Sequence, residues 1–409
     1  MFQTERQGLG KGSAVAAVIA GNLLFGTGLI FHAFLYNFYL EGLHLPTEVM
    51  GHAAAALTAG GLVMLLPAGV LTDRTGPRTA VTIAAAVLAV GLALGAVATT
   101  PLAVYAAAAV AGAGSGIWRV ATPPILMGLT EPSTRARAFA WNVGLLVGWG
   151  GAGTALAGAT SRWLEVRWTL ERLPALRWAL VLGALGSAAS LLLFQAVRSP
   201  EASARRGAEM DVPPAAYRLL PLVGLVAVWM LGPALAAPFL NIFFARAHGL
   251  AIERIGYVFA AASVCWALAV VASGEVASRV GARRVLVASL LLFGPAMWGL
   301  SLAHGVELAV VLYFLQGLIG PVTNPLIDQW LLGQAPSERQ GAVSSWRQVA
   351  ADLSAMIGAS LGGYLLAGSG GDVVFETLFR VAGAIGLVGA LGLIAGVRVR
   401  PGDAQESGR

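Results

Sequence analysis

The chain has 409 residues, of which 57% are hydrophobic and 11% charged. A soluble domain carries about 25% charged residues, so this chain has too little polar surface to coat a water-soluble body of its length. The net charge of +6 sits in short loops between apolar runs, where it sets membrane orientation and does not describe a nucleic-acid interface.

Apolar runs of 18 or more residues read as membrane helices. Twelve are predicted, at roughly 14–38, 49–72, 78–98, 102–129, 138–160, 177–197, 219–244, 255–275, 284–303, 306–332, 341–367 and 374–397. The repeated ten-residue alternation of a membrane barrel is missing. Arg6 and Lys11 precede the first run, which is too long for a signal-peptide core and reads as a retained span. After it, Glu41, His44, Glu48 and His52 have ligand-like spacing, but Pro46 interrupts any continuous helix, so no metal site is expected. Ser161 to Trp178 concentrates arginine and tryptophan and reads as an interfacial segment. Cys265, the single cysteine, reads as a small apolar residue.

Of the 26 basic residues, 17 fall on the face that carries both termini and 7 on the other, which places the termini in the cytoplasm. The polar stretch 199–217 lies near the middle. It divides a bundle over 1–198 from a second over 218–409. Shifting the chain by 205 residues superposes Arg74 on Arg279, Arg78 on Arg283, Trp141 on Trp346, and Gly76 on Gly281 without a gap. Two six-helix halves of the same orientation imply a pseudo-two-fold axis along the membrane normal.

The loop Gly69-Val-Leu-Thr-Asp73-Arg74-Thr-Gly76-Pro77-Arg78 resembles the signature of the major facilitator superfamily. The second-half stretch with Gly274, Arg279, Gly281 and Arg283 resembles its weaker copy. Pro336-Ser-Glu338-Arg339-Gln-Gly341 also resembles a family pattern. Glycines permit the tight turn, and Asp73 can take the partial positive charge of a helix N-terminus. Arg74 and Arg78 can meet carboxylates or lipid phosphates. The resemblance implies an all-α polytopic protein with the major facilitator fold, two pseudo-symmetric six-helix bundles around a central cavity. It also implies that Gly69, Asp73, Arg74, Gly76, Arg78, Arg279, Gly281 and Arg283 form gating elements between the halves. Two departures are notable. Ala108 stands where many proton-coupled members carry an arginine in span four, and span five lacks the proline frequent in drug antiporters.

Charges inside spans are costly and usually functional. Arg119, about three turns after Ala108, shares its helical face. Its second-half counterpart is Asn324, with Asp328 one turn on. Arg119 and Asp328 are expected to pair across the pseudo-two-fold axis, with Asp328–Arg347 as the competing pair. The family's spans one, four, seven and ten line the cavity, which implies Asn22, His32, Tyr36, Trp229 and Asn241 as further lining candidates. Pro123 and Pro124, Pro233 and Pro238, and Pro321 and Pro325 are expected to break spans four, seven and ten.

The resulting expectation is a secondary transporter in the cytoplasmic membrane. It moves a small organic solute, anionic or zwitterionic, by alternating access, with protons as coupling ion and Asp328 or His32 as carriers. Alternatives are multidrug/H+ efflux and a receptor or scaffold that kept the fold. No catalytic set is present, so no enzyme is expected. The expected partners are substrate, protons and the bilayer, without cofactor, metal or nucleic acid, and the expected state is a monomer.

Overall fold

The computed structural model describes residues 11–197, 219–335, 340–368 and 373–398. Among the described residues, twelve helices are long and apolar enough to cross a membrane. In chain order the spans are Lys11–Gly42, Thr47–Thr75, Pro77–Val97, Pro101–Leu129, Pro132–Arg167, Arg172–Ala196, a seventh in two pieces, Ile252–Val280, Ala282–Ser301, Val306–Leu332, Gln340–Ala367 and Val373–Arg398. The linker 199–217 and Pro336 to Arg339 of the second family pattern lie outside the described residues.

The start points follow from local chemistry. Pro77, Pro101 and Pro132 each open a helix, where the missing N–H has no intrahelical partner to lose. The Thr100 side chain accepts from the Ala103 N–H at 3.4 Å and caps span four. Span one ends at Gly42 and span two begins after Pro46, so the expected interruption lies there. No cluster of His, Cys, Asp or Glu among the described residues could hold a metal ion.

The proline expectation holds for one span of three. Span seven is helical over Leu220–Ala236, tightens to a 3-10 turn at Ala237–Phe239 and resumes over Leu240–Arg246. Spans four and ten run through their prolines as single helices. Packing against neighbouring helices can hold a proline-containing membrane helix together despite the lost donor. The stretch Ser161 to Trp178, read as interfacial, joins spans five and six. It is the end of span five, a short loop and the start of span six, with Trp163, Trp168 and Trp178 exposed.

The chain divides into two compact units. One comprises 1–208 with Ala251–Ser263 from the start of span eight, and the other 209–250 with 264–409. In the first unit, spans two and four meet backbone to backbone. A methyl group on Gly112 would overlap the Leu57 carbonyl, and one on Gly116 the Gly61 carbonyl. Without a hydrophobic driving force between helices in lipid, such close approach supplies the association energy. Phe34 of span one packs edge-on against Phe259, which accounts for part of span eight belonging here.

In the second unit, span seven is gripped on two sides. Gly389 of span twelve sits on the Trp229 backbone, and Gly358 and Gly362 of span eleven sit on Ala234 and Leu235. Spans eight and ten lack the glycine contact of their first-unit counterparts. Trp266 occupies the position equivalent to Gly61, its ring lies on Gly317, and its indole N–H donates to the Phe314 carbonyl at 3.1 Å.

Candidate functional site

The two repeated turns share one backbone device. Gly76 has φ +83° and its N–H closes on the Thr72 carbonyl at 2.9 Å. Gly281 has φ +100° and closes on the Ala277 carbonyl at 2.9 Å. Around the first turn, Asp73 and Arg74 are exposed and Gly69 has open space beside it. The Arg78 guanidinium reaches the Gln195 carbonyl at the end of span six. That is where helix carbonyls lack intrahelical partners and favour a cation. Around the second turn, Arg279 pairs with Glu275 at 2.7 Å on the exposed surface. Arg283 makes no ion pair with a described residue.

Within the first unit, Asn22 is fully buried and ties three spans together. Its amide donates to Asn142 Oδ1 of span five at 2.7 Å, and its Oδ1 accepts from the Trp118 indole of span four at 2.7 Å. Phe25 stacks on Trp118 with centroids 5.1 Å apart. Arg119, the next residue, is half-buried, and its Nη2 lies 3.6 Å from where a Cβ on Gly61 would sit. The absence of a side chain at Gly61 makes room for the guanidinium against span two. His32 stacks on Tyr36 with centroids 3.9 Å apart, and Tyr36 directs its hydroxyl at the Gly95 carbonyl of span three, 3.4 Å away. Tyr39 continues the stack and receives Arg177, whose guanidinium carbon lies 5.9 Å from the ring centre.

Within the second unit, Asp328 of span ten pairs with Arg347 of span eleven. This is the competing pair named from sequence, and it satisfies the carboxylate inside one unit. Asn241 is buried, and its Oδ1 accepts from the Ile242 N–H at 2.9 Å, stabilising the chain where span seven resumes. Trp229 is buried beside Phe293. Its indole N–H and the Asn324 Oδ1 are buried and make no hydrogen bond with a described residue. Buried polar atoms are nearly always bonded, so these two carry unused hydrogen-bonding capacity. At the end of the same unit where span seven gives way to span eight, a cavity of about 270 Å³ is lined by Phe243, His248, Ser301, His304 and Glu376 among others.

One polar residue central to these arrangements, Asn142, was not singled out in the sequence, whereas Arg347 was named as the competing partner of Asp328. Asn142 and Arg347 are 205 residues apart and therefore repeat equivalents, one bonding span one and the other span ten. Applying the repeat offset to every polar residue inside a span would have paired them.

The Major Facilitator Superfamily model matches residues 17–237 and 222–409. A tetracenomycin C resistance and export protein from Streptomyces glaucescens is 27% identical over 215 residues, 50% of this chain and 39% of that protein. The chain thus matches about two fifths of that relative's length. Among solved structures, the D-xylose-proton symporter superposes with TM-score 0.75 at 14% identity, covering 93% of this chain and 97% of that one. A bacterial homologue of the human lysosomal transporter Spinster, inward-facing and unoccupied, gives 0.78 at 13%, covering 95% and 97%. The nucleoside transporter NupG gives 0.75 at 13%, covering 96% and 100%. At such identities the structures speak for the fold alone. All are transport proteins and none is an enzyme. With the family model spanning both halves and twelve apolar helices in place, this multi-pass membrane protein belongs to the Major Facilitator Superfamily.

Proposed function

We propose that the protein is a secondary active transporter that carries a small anionic or zwitterionic organic solute across the cytoplasmic membrane by alternating access, driven by protons. Its termini lie in the cytoplasm, and it works as a monomer. One observation carries the reading. Repeat-equivalent positions on spans four and ten hold a half-buried cation, Arg119, and a buried open acceptor, Asn324 Oδ1. A cation attracts a carboxylate or phosphate, and an open acceptor receives an ammonium or hydroxyl. The Asp328–Arg347 pair supplies a proton-sensitive element. Protonation of the carboxylate would release Arg347 and change the charge within span ten. The turns at Gly76 and Gly281, with Arg74, Arg78, Arg279 and Arg283, serve as gating elements.

The test is flux into proteoliposomes under an imposed pH gradient, with labelled organic anions, zwitterions and cations supplied in parallel. Gradient-dependent uptake of an anion or zwitterion, reduced at least tenfold by Arg119→Ala, is the expected result. Equal flux by the Arg119→Ala variant removes the assigned role of the cation. Absence of flux for every solute supports a receptor or scaffold instead. A second reading, proton-driven efflux of aromatic drugs, is favoured by the relative named for tetracenomycin C export. It predicts flux of uncharged polycyclic compounds that Arg119→Ala leaves unchanged.

A further inference from the structure

Spans eight and ten pack differently from their first-unit counterparts, spans two and four. In the first unit, glycines let spans two and four close backbone on backbone. In the second, the indole of Trp266 stands between spans eight and ten as a spacer. A cleft of about 740 Å³ lies on the face formed by spans eight, nine and ten, with Val280, Val285, Leu292, Leu315 and Val322 on its walls. Span nine carries Pro295 beside the opening.

Its chemistry is one-sided. Ser289 on the wall is already satisfied, accepting from Thr323 at 2.8 Å and donating to the Leu286 carbonyl at 2.9 Å. Among the described residues the only charged one lining it is Arg284, at the end beside the Gly281 turn. Arg284 also lines a second, adjoining cavity of about 580 Å³ together with Arg283 and Ala288. One Arg284 nitrogen lies 3.4 Å from the Val280 carbonyl, and neither arginine pairs with a described carboxylate. From Arg284 to Ala296 the wall runs twelve residues, or about 18 Å at the helical rise. Half of a hydrocarbon core is about 15 Å deep. The cleft therefore has the depth of one leaflet, an apolar interior and a doubly cationic mouth at the level of that leaflet's headgroups.

We propose that this cleft is a binding site for an anionic phospholipid, with an acyl chain lying between spans eight, nine and ten and the phosphate held by Arg284 and Arg283. Guanidinium groups suit the phosphate because they can donate two parallel hydrogen bonds to its oxygens. The wall offers the hydrocarbon chain no unsatisfied polar group.

The test is native mass spectrometry of the full-length protein released from detergent after titration with phosphatidylglycerol or phosphatidylcholine of identical acyl chains. The expected result is one phosphatidylglycerol retained where phosphatidylcholine is not. In the double variant Arg283→Gln, Arg284→Gln, affinity for phosphatidylglycerol should fall about thirtyfold, each cation near the surface contributing roughly equally. Double replacement by lysine should keep most of the preference. Ala288→Trp, which fills the cleft, should remove the retained lipid. Equal retention of the two lipids overturns the proposal, as does a preference indifferent to the glutamine variant. If Ala288→Trp instead leaves lipid retention intact and blocks flux of an apolar solute, the cleft is a path for solute and the proposal fails. The charge variants lie at the exposed mouth, so they decide the matter even if the tryptophan variant does not fold.

Discussion

Asp328 on span ten and Arg347 on span eleven form an ion pair in which the arginine side chain is 17% exposed and the carboxylate 37%. Surface pairs contribute about 0–1 kcal/mol, whereas removing one partner of a buried pair costs about 3–5 kcal/mol. For this intermediate case, Arg347→Ala and Asp328→Ala should each destabilise by about 2 kcal/mol. The double variant should lose less than the sum of the two. A double-mutant cycle on thermal unfolding in detergent checks this, and strict additivity would refute the coupling.

Gly76 and Gly281 should resist every substitution, including asparagine. Their φ values of +83° and +100° are paired with ψ values of 152° and 128°. That lies toward a region occupied almost only by glycine, away from the left-handed helical region that asparagine tolerates. Nothing lies within 4 Å of a Cβ at either position, so the penalty is backbone strain alone. Alanine and asparagine should both cost about 1–3 kcal/mol at each turn. Rescue by asparagine in a stability assay would show that the turn relaxes to a different conformation.

Asn22 should behave as a shared partner. Asn22→Ala strands the Trp118 indole and the Asn142 side chain, both inside the first unit. An unmet buried group costs about 1–3 kcal/mol, so a loss of about 2–4 kcal/mol is expected, with little further loss when Asn142→Ala is added. Unfolding temperatures of the two single variants and the double variant test this directly.

Gly112 and Gly224 offer a contrast within membrane helices. A methyl group on Gly112 collides with the Leu57 carbonyl, while Gly224 has open space beside it. Gly112→Ala must push spans two and four apart and should abolish accumulation of folded protein or lower its unfolding temperature markedly. Gly224→Ala should be neutral or stabilising by up to about 1 kcal/mol, as expected from helix propensity. Size-exclusion profiles and thermal shifts of the two variants provide the comparison.

His248 follows span seven, and burial lowers its proton affinity below the ordinary value of 6.5. The unfolded chain therefore binds the proton more readily than the folded one. Stability should be fully present above about pH 6.5 and should decline as pH falls below it. His248→Gln should flatten that part of the profile. His304 and Glu376 share its cavity, so both single variants belong in the same pH series.

Much of the architecture was legible because the bilayer imposes length and polarity on every span. All twelve helices are present, and the break between the first two falls beside Pro46 as read. The 205-residue offset, found by matching arginine and tryptophan, reappears as two glycines with the same unusual φ. Proline was a weaker guide. It broke span seven but not spans four or ten, because a lost donor ends a helix only where neighbours do not hold it.

The candidate site was legible as a set of residues and not as a set of contacts. Arg119, Asn22, Asn324 and Asp328 stood out because polar groups in lipid are expensive. The partners of Asn22 did not, since Asn142 lies 120 residues from it and Trp118 lies 96. Composition and periodicity by themselves determined that this chain crosses a membrane twelve times in two related halves, since burial of backbone in hydrocarbon leaves few alternatives. Only the tertiary structure decided that Asp328 meets Arg347, that Asn22 joins three spans, and that Trp266 stands between spans eight and ten where its counterpart Gly61 lets spans two and four close. Those outcomes depend on which helix faces come together, and side-chain packing sets that at distances no local pattern encodes.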